Sequence, residues 1–173
     1  MVGRYWWGGS LAAILATGCM AAGPPERPGS LAPDRRYINP GTMAGLDGFT
    51  HAVRVGTTVY VSGEVALDSL GQLVGQGDLK AQAAQAFANL SQVLRIAGAT
   101  PADVTKLTVY VVNLRPADLQ TIRAAGPDYF PQRNPPAGTV VGIQTLPREG
   151  LLIAVDAIAF APGMFLPRSG LPR

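Results

Sequence analysis

The chain offers acid–base chemistry one imidazole, His51, and across a predicted hairpin from it stands the carboxylate of Glu64. An imidazole changes charge near neutral pH, so a carboxylate brought against it would form an acid/base pair. The plainer alternative is an exposed ion pair at the surface. Ser62 has no base and orienting group in its neighbourhood of the sequence, so hydrogen bonding to backbone or ligand is expected of it rather than nucleophilic attack. Asp156 is the single charge in the apolar stretch from residue 151 to 160, which suits a structurally satisfied carboxylate. With one histidine and one cysteine, neither a zinc cluster nor an internal disulfide framework is available, and no metal or cofactor is expected. Gly71, Gly75 and Gly77 do not form a dinucleotide fingerprint, because no strand precedes them at the required spacing.

The elements that must position these groups follow from periodicity. Ala52 to Val55 and Thr58 to Ser62, separated by Gly56-Thr57, predict a β-hairpin. Residues 66 to 78 carry Asp68, Gly71, Gly75 and Gly77, which is loop chemistry, and Asp78 is placed to cap a helix. Residues 80 to 98 predict that helix: Ala83, Ala86, Phe87, Leu90, Val93, Leu94 and Ala97 recur at three- and four-residue spacing, and Gly98 stops it. Its Gln82, Gln85, Asn89, Gln92 and Arg95 side is expected to be wet. A strand over Thr105 to Asn113 and a second helix over Ala117 to Phe130, interrupted at Gly126-Pro127, come next. Two strands, Thr139 to Thr145 and Leu151 to Phe160, close the domain. The last is apolar on both faces, so helices are expected on one side of the sheet and another subunit on the other.

The 173 residues suit one domain with a proper core. Hydrophobic residues make up 47% and charged ones 14%, more apolar material than a monomer readily hides, which again points to subunit contact. The net charge of +3 comes without a Lys/Arg run, so no nucleic acid partner is expected. Residues 1–18 read as a signal peptide: Arg4, a short apolar run, then Leu15-Ala16-Thr17-Gly18 before Cys19, similar to a bacterial lipobox. Cys19 would then carry lipid, residues 19–40 would be a tether, 41–162 the domain and 163–173 a flexible tail. An exported lipoprotein, periplasmic or at the cell surface, is the expectation; translation from Met20 or Met43 would instead give a cytoplasmic protein. Palmitate incorporated by the wild type and not by Cys19→Ala decides between them.

Particular words resemble the Rid (reactive intermediate deaminase, YjgF) family: Tyr60-Val61-Ser62-Gly63, Gly71-Gln72-Leu73-Val74-Gly75, Ala97-Gly98-Ala99, Val109-Tyr110-Val111, Pro136-Ala137, Leu146-Pro147 and Asp156-Ala157-Ile158-Ala159. They stand in the family's order between residues 48 and 160. The resemblance implies an α+β, chorismate-mutase-like sandwich of one mixed sheet with two helices on one face, assembled as a homotrimer with ligand clefts at the subunit boundaries. It also implies hydrolysis of imine or enamine intermediates to 2-oxo acids and ammonia. In that branch a guanidinium grips the substrate carboxylate and a glutamate holds the water.

Both partners are replaced here: Gly138 stands at the family's arginine position and Ala154 at its glutamate position. Loss of such a charge-assisted pair removes roughly 2–5 kcal/mol of binding, so activity on 2-imino acids is expected to be weak or lost. The resemblance further assigns the ligand cleft to Phe49, His51, Ser62, Glu64, Arg123, Gly138 and Val140, with Arg123 either a relocated cation or a solvated helix arginine. The alternative to a divergent enzyme is a non-catalytic, exported ligand-binding module on the same trimeric fold.

Overall fold

The computed structural model describes residues 35–161; the signal peptide, Cys19 and the 163–173 tail lie outside them. Six strands and two helices follow in the order β1 (Arg35–Ile38), β2 (Ala52–Val55), β3 (Thr58–Val65), α1 (Leu79–Ala97), β4 (Val104–Val112), α2 (Asp118–Ala125), β5 (Ala137–Ile143) and β6 (Ile153–Phe160). The strands form one sheet in the order β1-β2-β3-β6-β4-β5. The β4–β5 pair is parallel and the other neighbours are antiparallel, so the sheet is mixed.

Local chemistry explains the helices. The Asp78 carboxylate accepts from the backbone N–H groups of Lys80 and Ala81, and Gly98 ends α1 in the left-handed region (φ 82°), where a side chain would be strained. α2 stops at Ala125 because Gly126 precedes a proline, whose ring disfavours helical geometry in the residue before it. Pro127–Tyr129 then makes a short 3-10 turn that stacks Tyr129 on Phe87, ring centroids 5.2 Å apart.

The core lies between the helices and one face of the sheet. Ala83, Phe87, Leu90 and Leu94 of α1, with Ile122 of α2, pack on Val59, Val109, Val111, Val155 and Ala157, all buried. The other face carries no helix among the described residues, and there Tyr37, Tyr60 and Phe160 are 63%, 50% and 51% exposed. The two-faced apolarity of β6 thus resolves into a covered face (Ile153, Val155, Ala157, Ala159) and an open one bearing Ile158 and Phe160.

Two expectations need correction. The tether does not run to residue 40, since Arg35–Ile38 pairs along β2; four residues beside a proline-rich run are too few to show a period. The polar side of α1 is not uniformly wet. Gln82 and Asn89 are buried, and their amides hold neighbouring loops: Gln82 Nε2 donates to the carbonyls of Gly75 and Gly150, and Asn89 Nδ2 to those of Val65 and Leu67.

Candidate functional site

On the helix-free side, at one end of the sheet, lies a cavity of about 480 Å³. Its floor comes from β3 (Ser62 to Val65), Tyr110 of β4 and Ala154 of β6; the loop ahead of β2, from Ala44 to His51, walls one side. A β-bulge builds the floor. Val61 is registered against Ala157 and Glu64 against Val155, so β3 has one residue more than β6 over this interval. An extra residue reverses the side-chain alternation beyond it. Val65 therefore lies opposite Ala154 in a small apolar cluster at the cavity, and Glu64, registered against Val155, lines the same cavity beside His51.

His51 and Glu64 are 7% and 4% exposed, and His51 Nδ1 lies 3.0 and 3.2 Å from the two carboxylate oxygens. A carboxylate can only accept, so Nδ1 carries the proton. The hydrogen bond to Glu64 holds the imidazole pKa above its ordinary value; burial opposes this, and the attraction of the Glu64 charge adds to it. The loop is pinned at the same point. Asn39 Oδ1 accepts from the His51 backbone N–H, the Ser62 backbone N–H donates to the His51 carbonyl at 2.9 Å, and the Ser62 hydroxyl donates to the Thr50 carbonyl at 2.7 Å. Gly45 makes room for the ring, since a Cβ there would stand 3.1 Å from His51 Nε2.

Tyr110 donates its hydroxyl to Asp156 Oδ2 at 3.1 Å, and burial, followed by the nearby Asp156 charge, raises its pKa. Among the described residues neither lysine nor arginine lines the cavity. Arg148, next to the wall residue Pro147, donates to the Gly71 carbonyl at 2.6 Å.

Of the residues expected at a ligand cleft, the chain brings together Phe49, His51, Ser62 and Glu64, with Ala154 beside them. It keeps three away. Val140 faces the helix-covered side and packs on the core. Gly138 pairs with Leu107 on the edge strand β5, and Arg123 is an exposed residue of α2. Within one chain, none of the three reaches this cavity. Tyr110 is a wall residue absent from the expected set, although the alternation of Leu107, Val109 and Val111 into the core already turns it to the opposite face.

The geometry defines an α+β protein with a single-sheet, two-helix layer structure and a largely apolar cavity holding one buried imidazole–carboxylate pair. Residues 42–161 match the model of the family described as Endoribonuclease L-PSP. The chain is 37% identical over 117 residues to a 2-iminobutanoate/2-iminopropanoate deaminase of Rattus norvegicus, covering 67% of this chain and 82% of that protein. Among solved structures it is similar to a Rid protein family member, YyfB, of Yersinia pestis, at 47% identity with a TM-score of 0.56, covering 73% of this chain and 98% of that one. RidA from an Antarctic Psychrobacter superposes with a TM-score of 0.64 at 28% identity, covering 72% and 98%. The chain belongs to the Rid (YjgF) family, and its mixed sheet with two helices is that family's fold.

Proposed function

We propose that this Rid-family protein binds small metabolites in the cavity beside Phe49, His51 and Tyr110 and hydrolyses imine- or enamine-type compounds, with activity on 2-imino acids weak or lost. The observation that carries this is the charge of the cavity wall: among the described residues no guanidinium or ammonium lines it, and Ala154, to which the resemblance gives the place of the water-holding glutamate, lines it with a methyl group. Among the described residues that line it, the one ionisable cation, His51, is already neutralised by the Glu64 carboxylate 3.0 Å away. A substrate carboxylate entering such a site loses its hydration without meeting an unneutralised positive charge among the described residues, which is unfavourable. Supporting hydrolysis, the relative in rat is named for imine deamination.

The assembly that fits is a homotrimer in which the helix-free faces meet and the cavities lie at the boundaries. The exposed Tyr37, Tyr60 and Phe160 on that face, the same side as the cavity, support it.

Ammonia release from freshly generated 2-aminoacrylate tests the carboxylate claim. The expected rate is at least about 30-fold below that of an arginine-bearing relative, the lower end of the lost binding energy. Equal rates would refute the assignment.

A further inference from the structure

His51 and Glu64 are more than a structural pair in one respect: the outer ring nitrogen is left free. Nδ1 is committed to Glu64, whereas Nε2 has no hydrogen-bond partner among the described residues. No fully buried polar side-chain atom there lacks a partner, so Nε2 is not sealed off. It lies against Gly45, itself a wall residue of the cavity. The surrounding wall is apolar, with Leu46, Phe49, Ile143 and Leu146, and its volume of about 480 Å³ suits a small organic molecule.

We propose that His51 is the acid–base catalyst, oriented by Glu64, for hydrolysis of neutral imines whose carbon bears apolar groups in place of a carboxylate. The proposal rests on the cavity being the ligand cleft. Imidazolium Nε2–H first gives its proton to the imine nitrogen, which makes the carbon electrophilic. Water then adds to that carbon, forming the C–O bond, and its proton passes to the now neutral Nε2. In the resulting carbinolamine, His51 protonates the amine, the C–N bond breaks, and the hydroxyl proton returns to Nε2. The imine and one water thus become a ketone and ammonia, and His51 ends protonated as it began. Glu64 is a positioning residue, because a carboxylate on Nδ1 fixes the ring and stabilises the imidazolium.

The raised imidazole pKa is consistent with an acid as the resting form. The other titratable groups near the ring are the Tyr110 hydroxyl of β4, tied to Asp156, and Asp47 of the loop, which borders a second hollow that His51 also lines. Neither is hydrogen-bonded to the imidazole among the described residues.

The test uses the full chain without a histidine tag, since His51 is then its sole histidine. The probe is benzophenone imine, with ketone followed by absorbance and ammonia by a coupled assay. Hydrolysis above the uncatalysed rate is expected, falling about 100-fold in His51→Gln and about tenfold in Glu64→Gln. Glu64→Gln should also lower the imidazole pKa seen by NMR and shift the pH–rate profile with it, which a merely structural loss would not do. Because variants can misfold, diethyl pyrocarbonate offers a second route: carbethoxylation of the one histidine in wild-type protein should abolish turnover. Turnover that survives both His51→Gln and carbethoxylation overturns the proposal. No turnover, with saturable thermal stabilisation by benzophenone, overturns the acid–base assignment and leaves the ligand cleft standing; no turnover and no stabilisation overturns both.

Discussion

His51 and Glu64 are thirteen positions apart in the chain and 3.0 Å apart in space. Because the folded-state pKa of His51 is raised above 6.5, the folded state binds its proton more tightly than the unfolded chain does. The pair's contribution to stability is therefore fully present below about pH 6.5 and is lost as pH rises through the folded value. Urea unfolding of wild type and Glu64→Gln at pH 6 and pH 8.5 should show the wild-type advantage shrinking at the higher pH. A gap that widens with pH would show that the ring is not charged when paired. With no other histidine in the chain, the NMR titration of this ring reads the same quantity directly. The pair was legible in the sequence as residue types only. Ser62 and Gly63 look like ordinary strand residues, and nothing local marks the extra residue that brings Val65 to the cavity face.

At the scale of elements, α1 does two jobs with two faces. Its apolar stripe covers the sheet, and its amide side chains hold the loops beside the cavity. Gln82 is fully buried and makes three hydrogen bonds, donating to Gly75 and Gly150 and accepting from the Leu152 backbone N–H at 2.8 Å. Gln82→Ala removes all three and leaves that N–H without its partner, so a loss of about 2–4 kcal/mol is expected. Chemical denaturation measures the loss, and faster amide exchange at Leu152 would locate it; a loss below about 0.5 kcal/mol would mean that water replaces the amide. The helix itself was readable, from the Asp78 cap to the Gly98 stop, because caps and periods are local. The direction of its glutamines was not. Polar residues on a helix normally face water, and only the folded loops at Gly75 and at residues 150–152 give Gln82 something to hold.

For the whole molecule, the helix-free face is decisive. Tyr37, Val53, Tyr60 and Ile158 follow one another across four strands in register, and Phe160 lies one step along β6. A row of this kind left to solvent is unfavourable, and a symmetric neighbour covers it most simply. Tyr60→Glu combined with Phe160→Glu should convert the proposed trimer to monomers, as read by sedimentation equilibrium. A double variant that stays trimeric would move the interface elsewhere. The composition, with 47% hydrophobic against 14% charged residues, foretold surplus apolar surface but could not say where it would gather.

The sequence by itself determined the helices, the strands after β1, the caps of α1 and the family, because each of these is written in spacings of a few residues or in short words along the chain. Only the tertiary structure decided which residues share a cavity: the loop ahead of β2 set His51 against Glu64, while the helix-covered side took Val140 and the surface of α2 took Arg123. Distances between remote residues depend on strand register and bulges, and these are settled by packing across the sheet rather than by the neighbours of either residue.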